Sequence, residues 1–167
     1  LAFALLATAG CAKIPEAIFG INGEIPAQQV EGTKLHEIYI ATSRTPDVDP
    51  ALFFSSERAT GVSLAKVTVS IPPAHVPGRI ERPKKLPPDP RKDFVVLDPQ
   101  IFDSSDAFIS NIDAALESRM EGERELLVFV HGYNTTTAAA VMRISQFVED
   151  SGFTGIPVLF TWASRGK

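Results

Sequence analysis

The stretch that decides the fold is Leu126-Leu127-Val128-Phe129-Val130-His131-Gly132-Tyr133-Asn134. Its first five residues are apolar without interruption, which is a common strand length. Such a run predicts a strand that is buried on both faces, as in a parallel sheet. The run ends abruptly at His131-Gly132 and a polar turn follows. The pattern therefore predicts an α/β fold with this corner at the carboxyl end of a parallel strand.

Other segments supply the rest of such a fold. We predict strands over 35–41, 63–71, 94–97 and 157–162, and helices over about 107–120 and 137–150. Residues 63–71 alternate apolar and polar side chains and end at Pro72-Pro73, so we expect a half-buried strand at a sheet edge. The later order of strand, helix, strand, helix, strand favours right-handed crossovers and a mostly parallel sheet.

Each predicted helix carries an apolar stripe at helical spacing and a signal at its ends. Asp103-Ser104-Ser105-Asp106 offers caps for the first helix, whereas Thr135 or Thr136 and Gly152 bound the second. The predicted stripes are Phe108, Ile109, Ile112, Ala115 and Leu116 in the first helix, and Ala140, Val141, Ile144, Phe147 and Val148 in the second.

The composition is that of a globular protein and gives no reason to expect nucleic acid or an acidic membrane surface as a partner. The chain has 167 residues, is 44% hydrophobic and carries a net charge of −4. Residues 74–92 are basic, but prolines rather than aromatic residues separate the cations, so a solvated surface loop is favoured over nucleic-acid binding. His36, His75 and His131 are too dispersed for metal-ligand spacing, and we expect neither a metal nor a cofactor.

The amino-terminal residues resemble a bacterial export signal. Residues 1–9 form an apolar stretch too short to span a bilayer, and Ala9-Gly10-Cys11 resembles the end of a lipobox, although Thr8 departs from that pattern. We predict a signal or lipobox-like segment over 1–11 with lipidation at Cys11, and a membrane-anchored or periplasmic location in the cell envelope. A cleaved signal, an uncleaved anchor and a buried amino-terminal element are the alternatives.

The predicted domain organisation follows from composition. Residues 12–34 mix glycine, proline and polar residues without periodicity, so we expect a linker there, followed by a domain over 35–167.

The His-Gly corner is suited to one kind of chemistry. Acyl transfer passes through a tetrahedral oxyanion, which backbone N–H groups at a strand-to-loop corner can stabilise. We take His131, Gly132, Tyr133 and Asn134 as candidates for such an oxyanion loop, with the N–H of Tyr133 as the donor. Gly132 would allow a positive φ or a close approach. Alternatively, this is an ordinary glycine turn in which His131 bonds to a neighbouring loop and Asn134 bridges loop backbone.

Three stretches together resemble a bacterial family of α/β-hydrolases whose function is unknown. They are Ile40-Ala41-Thr42-Ser43-Arg44-Thr45-Pro46 with Ser55-Ser56-Glu57-Arg58 after it, residues 67–81, and residues 128–135 continuing to 157–166. The resemblance implies a hydrolase core with a Ser-His-acid triad downstream of the last strand. Only the oxyanion loop can be assigned here, because we expect all three triad residues after Lys167. Ser164 is not a nucleophile candidate, since it lacks the leading glycine of a G-x-S-x-G elbow.

Two functions are therefore open. The first is the amino-terminal portion of an esterase-like serine hydrolase of the cell envelope, acting on a small-molecule or lipid ester, with a sheet that is incomplete at the carboxyl end. The second is a non-catalytic envelope module that keeps the hydrolase scaffold for binding or assembly. An incomplete sheet would leave residues 158–162 as an edge strand.

Overall fold

The computed structural model describes residues 16–17 and 22–164. The predicted signal segment over 1–11 and the lipidation candidate Cys11 lie outside the described residues. Among the residues that are described, no helix is both long and apolar enough to cross a membrane.

The described chain is a mixed α/β unit, as predicted. The strands are β1 (Lys34–Pro46), β2 (Phe54–Ile71), β3 (Val95–Phe102), β4 (Leu126–Val130) and β5 (Ile156–Thr161). The helices are α1 (Ser105–Glu117) and α2 (Thr137–Ser151), and short 3-10 turns cover Ala27–Gln29 and Glu121–Glu123.

All the strands belong to a single sheet with the order β3-β2-β1-β5-β4. The β1–β2 and β2–β3 pairs are antiparallel, whereas β1–β5 and β5–β4 are parallel. Strand β2 therefore runs against the other four, and the predicted mostly parallel sheet is confirmed. Helix α2 crosses over between the parallel neighbours β4 and β5.

The predicted edge position of residues 63–71 was wrong. Strand β2 starts earlier, at Phe54, and lies between β1 and β3. Its Ala65, Val67 and Val69 are fully buried on one face, while residues between them are only partly covered. Alternating apolar and polar residues indicate that one face of a strand is buried. They do not show whether the strand is hydrogen-bonded to neighbours on both sides.

The prediction that residues 126–130 are buried on both faces was also wrong. Strand β4 is an edge of the sheet, with Leu126, Val128 and Val130 exposed by 50%, 61% and 57%. Leu127 and Phe129 pack against the core on the other face. Helix α1 makes its main sheet contacts with β2, β3 and β5, and this face of β4 stays exposed. Strand β5, predicted to be the edge, lies between β1 and β4.

The core has two parts, one on each face of the sheet. Helix α2 covers one face, where the cluster includes Ile38, Ile40, Val67, Val141, Ile144 and Leu159. Helix α1 covers the other, where the cluster is Tyr39, Phe108, Ile112 and Ile156. The predicted stripes match this packing except at Ile109 and Phe147, which are 53% and 47% exposed.

The helix ends follow the predicted signals. The Ser104 hydroxyl accepts a hydrogen bond from the Ala107 N–H, and the Thr136 hydroxyl accepts one from the Ala139 N–H. Gly152 closes α2 in the left-handed conformation, with φ of 65°. Such caps satisfy helix-end groups that would otherwise lack partners.

The predicted linker contains ordered packing near its end. Ala27 is buried in a small cluster with Val95 and Leu97, and the Asn22 amide donates to the Pro88 carbonyl. The assignment of 12–34 as a linker stays a prediction.

The loop between β2 and β3 is irregular, as predicted, and is fastened to the end of α2. The His75 ring nitrogens lie 2.6 Å from the Glu81 carboxylate and 2.9 Å from the Asp150 carboxylate. The Gly78 N–H also donates to Asp150 at 2.8 Å. Burial alone would lower the pKa of His75, but the hydrogen bonds to the two carboxylates outweigh it and raise the pKa. A protonated His75 therefore joins the loop to the helix.

The contacts of His75 with Glu81 and Asp150, called here the His75 clamp, predict that the stability of the fold depends on pH. Because the pKa of His75 is raised on folding, its contribution is full below the unfolded value of about 6.5 and is lost as pH rises through the folded pKa. Urea unfolding midpoints should therefore show a stability advantage of the unmodified chain over His75→Gln that shrinks as pH rises. Glu81→Gln keeps the size of that side chain and should weaken the same dependence. A constant difference between the chain and His75→Gln at every pH would contradict the clamp.

Candidate functional site

The His131 ring is held in one orientation at the carboxyl end of β4. The ring is buried, its Nε2 lies 2.8 Å from the Thr161 hydroxyl, and the Trp162 N–H donates to the same nitrogen at 3.3 Å. Because a backbone N–H can only donate, Nε2 is an acceptor and the ring proton is assigned to Nδ1. Nδ1 then donates to the Gly132 carbonyl at 2.8 Å.

Burial and a neighbouring cation favour the neutral form of this ring, and Trp162 covers one face of it. The Trp162 indole stacks on the imidazole at 5.5 Å between centroids, and its Nε1 donates to the His131 carbonyl at 3.2 Å. Burial lowers the pKa of His131, and the nearby Arg44 cation lowers it further, against the raising effect of the bond to Gly132. Since both ring nitrogens are engaged, His131 positions the loop and is not available as a general base in this geometry.

A buried arginine connects the strands around this corner. Arg44, at the end of β1, is 1% exposed, and its Nε donates to the Thr161 hydroxyl at 2.9 Å. Its remaining bonds go to backbone carbonyls of Ser55, Thr135 and Ser164 at 3.1, 2.6 and 3.1 Å. Because Thr161 accepts from Arg44, its own proton is free to be donated to His131. Arg44, Thr161, His131 and the Gly132 carbonyl thus form one chain of hydrogen bonds.

This chain of hydrogen bonds fixes the direction of the Tyr133 N–H, which is the predicted oxyanion donor. The Gly132 carbonyl accepts from His131 Nδ1 and also from the Thr135 hydroxyl at 3.3 Å. In a planar trans peptide the carbonyl and the following N–H point in opposite directions. The Tyr133 N–H is therefore directed away from the His131 ring, and it has no acceptor among the described residues. The Tyr133 side chain is 78% exposed.

The glycine of the corner does not have the conformational role that we predicted. Among the corner residues the positive φ, 62°, occurs at Asn134 and not at Gly132. A Cβ at Gly132 would meet nothing within 4 Å, so no close contact among the described residues requires glycine there. Asparagine tolerates the left-handed conformation better than most residues, which explains how the turn into α2 is made. The space beside Gly132 is open.

Comparison with known proteins now adds a family to this geometry. Residues 104–167 match a family described as alpha/beta hydrolase of unknown function (DUF900). No curated protein and no solved structure matches the chain. These matched residues, called here the hydrolase-family segment, contain α1, β4, the corner, α2 and β5. The predicted resemblance is confirmed over residues 104–167.

A cleft lies beside the corner of the hydrolase-family segment. It has a volume of about 370 Å³, and apolar side chains form much of its wall. The lining includes Ile80, Phe129, His131, Gly132 and Met142, with Arg82 and Arg143 as cations. The cleft thus places an apolar wall beside His131 and Gly132, and Tyr133 does not line it.

Ser164 has a structural position in the described chain. It is 5% exposed, its hydroxyl accepts from the Thr135 N–H at 3.1 Å, and its carbonyl accepts from Arg44. These contacts agree with the sequence analysis, which found no nucleophile elbow around this residue. They hold the loop after β5 against the loop before α2.

Arg44, Thr161 and Trp162 were not predicted as site residues. One signal was present, because Ile38, Ile40, Thr42 and Arg44 alternate along β1 and so share a face of the sheet. Two isoleucines on that face indicate burial, and an arginine on the same face needs several acceptors. Its partners lie about 10 to 120 residues away in sequence and could not be identified from spacing.

Replacement of the Thr161 hydroxyl tests the hydrogen-bond network that joins Arg44 to His131. Thr161→Val keeps the side-chain shape but leaves Arg44 Nε and His131 Nε2 without this partner, and should lower the free energy of unfolding by about 1–3 kcal/mol. Thr68→Val in β2 is the control, because Thr68 is a strand threonine that does not belong to this network. Urea unfolding of both variants provides the measurement. Equal midpoints for the two variants would show that the network contributes nothing.

Proposed function

We propose that the hydrolase-family segment is part of an acyl-ester hydrolase in which the Tyr133 backbone N–H binds the oxyanion. The observation that carries the proposal is the fixed Gly132 carbonyl, which directs the Tyr133 N–H away from the His131 ring. That N–H has no acceptor among the described residues. His131, Gly132 and Asn134 shape the loop and do not react. A family described as α/β-hydrolase supports the reaction class.

The mechanism rests on a donor that is oriented before the substrate arrives. When a nucleophile attacks an ester carbonyl, the carbonyl oxygen becomes negative, and one oriented N–H is worth about 3–4 kcal/mol in the transition state. The buried contacts of Arg44, Thr161 and His131 hold the peptide, so little reorganisation is needed during the reaction. The nucleophile of this proposal is a serine with a partner acid and histidine, as the resemblance implies.

The substrate of this proposal is a small-molecule or lipid ester. The apolar wall of the cleft at Phe129 and Met142 would receive the acyl part, while the carbonyl approaches the Tyr133 N–H. The chemistry requires no cofactor, because the oxyanion is stabilised by backbone donors and the nucleophile is a side chain.

A second candidate is a non-catalytic binding or assembly module. The observation that favours it is the edge strand β4, where Leu126, Val128 and Val130 present an apolar face that the described residues leave half-exposed. Edge strands with apolar faces are sites for pairing with another chain. Such a module would keep the fold and lack ester hydrolysis.

The decisive variants act on the backbone of residue 133. In the full-length protein, Tyr133→Pro removes the N–H donor and should lower kcat for p-nitrophenyl ester hydrolysis by about 10²–10³-fold. Tyr133→Ala keeps the N–H and loses only an exposed ring, so kcat should stay near that of the unmodified protein. Circular dichroism spectra of both variants check that the fold is retained.

The possible results separate the two candidates. Loss of activity in Tyr133→Pro alone supports the oxyanion role. Equal activity in Tyr133→Pro, Tyr133→Ala and the unmodified protein would show that the Tyr133 N–H is not the oxyanion donor. A full-length protein that neither hydrolyses esters nor reacts with a fluorophosphonate probe overturns the enzyme proposal and favours the binding module.

We also propose that the protein is held at the bacterial cell envelope through Cys11. The supporting pattern is Ala9-Gly10-Cys11 after an apolar stretch. In cells that express the natural reading frame, radiolabelled palmitate should be incorporated into the protein, and Cys11→Ser should abolish the label. Incorporation that persists in Cys11→Ser would contradict the assignment of this cysteine.

A further inference from the structure

A second cleft concentrates positive charge in a chain whose net charge is −4. It lies between residues 22–25 and the loop that joins β2 to β3, and its volume is about 610 Å³. Its lining contains five cations, Arg82, Lys84, Lys85, Arg91 and Lys92, and two carboxylates, Asp89 and Asp93. The lining therefore carries a formal charge of +3, which is five positive charges less two negative charges.

Part of this charge is already neutralised within the loop. Arg91 donates to both carboxylate oxygens of Asp89 at 2.8 Å, and Lys92 lies 3.8 Å from the same group. These bonds lower the pKa of Asp89 to about 2, so the carboxylate stays ionised. Lys84 and Lys85 are exposed and form no ion pair with the described residues. The free positive charge of the cleft is therefore concentrated on this lysine pair.

The loop between β2 and β3, which carries these cations, is itself fixed by hydrogen bonds. The Asp89 N–H donates to the Asp93 carboxylate at 2.9 Å, and the Asn22 amide donates to the Pro88 carbonyl at 3.3 Å. Pro88 and Pro90 are buried. The lysine pair consequently stands at the rim of a concave surface, which favours a compact multivalent anion over a diffuse counterion layer.

We propose that this cleft binds phosphate groups, carried either by anionic lipid headgroups or by a free phosphate compound. Lysine ammonium groups are common phosphate ligands, and paired lysines at a rim can contact one phosphate from two sides. The cations are separated by prolines rather than aromatic residues, which disfavours stacking of nucleic-acid bases.

Two features bear on the lipid source. Leu86 follows the lysine pair directly and is 43% exposed, so an apolar side chain stands beside the cations, as in segments that bind anionic membranes. Asn22 in the cleft wall comes eleven residues after Cys11. A chain of that length reaches at most about 40 Å, so a lipid at Cys11 would keep the cleft near the bilayer. This second feature rests on the proposed anchor, whereas phosphate binding does not.

The test compares two double variants of the full 167-residue chain with equal loss of charge. Lys84→Gln/Lys85→Gln removes the lysine pair, and Arg119→Gln/Arg124→Gln removes two exposed cations that follow α1 in the chain. Co-sedimentation uses vesicles of equal parts phosphatidylglycerol and phosphatidylcholine, with phosphatidylcholine alone as reference. The lysine variant should bind anionic vesicles about 10- to 30-fold more weakly, and the arginine variant should bind like the unmodified chain.

A second arm uses inorganic phosphate. Thermal unfolding is followed with increasing phosphate against chloride at equal ionic strength. A rise in Tm that is lost in Lys84→Gln/Lys85→Gln, without preference for anionic vesicles, assigns the cleft to free phosphate compounds. Vesicle binding lost in the same variant assigns it to lipid headgroups.

Three results would overturn the proposal. These are the absence of binding in both arms, an equal loss in both double variants, and tighter binding of a single-stranded oligonucleotide through the same lysines. Failure of the hydrolase proposal can be distinguished from failure of the phosphate-binding proposal, because Tyr133→Pro should leave vesicle and phosphate binding unchanged. Likewise, Lys84→Gln/Lys85→Gln should leave ester hydrolysis in solution unchanged.

Discussion

The arrangement of the corner depends on the burial of one positive charge. A guanidinium removed from water must be surrounded by acceptors, and Arg44 finds them in the carbonyls of Ser55, Thr135 and Ser164 and in the Thr161 hydroxyl. These acceptors come from separate segments of the chain, so satisfying the arginine brings the segments together at one end of the sheet. The orientation of the neighbouring imidazole and of the peptide after it follows from that requirement.

Local features of the fold could be predicted from the sequence, whereas positions within the sheet could not. Both helices began and ended near their predicted residues, because capping by Ser104, Thr136 and Gly152 depends on neighbours within a few positions. The apolar run of β4 predicted the strand correctly and its burial incorrectly. Whether a strand is covered depends on where distant elements pack, and the main contacts of α1 are with β2, β3 and β5.

The same distinction applies to the candidate site. The His131-Gly132 corner was found because a strand ending in that pair is a local pattern. Arg44 was missed because Thr161, its side-chain partner, lies 117 residues away. We expected a positive φ at Gly132, but it occurs at Asn134. The hydrogen bonds of His131 with Thr161 and with the Gly132 carbonyl already fix the peptide that precedes Tyr133.

The strand order has a consequence for how the protein is made. Strands β1, β2 and β3 are consecutive neighbours and can pair as soon as they leave the ribosome, because each finds its partner directly before it in the chain. Strand β4 has no hydrogen-bonded neighbour until β5, the later strand, enters between it and β1. During synthesis the corner therefore stays unassembled until residue 161 has emerged, and a nascent chain halted before that point would expose β4 to chaperones and proteases.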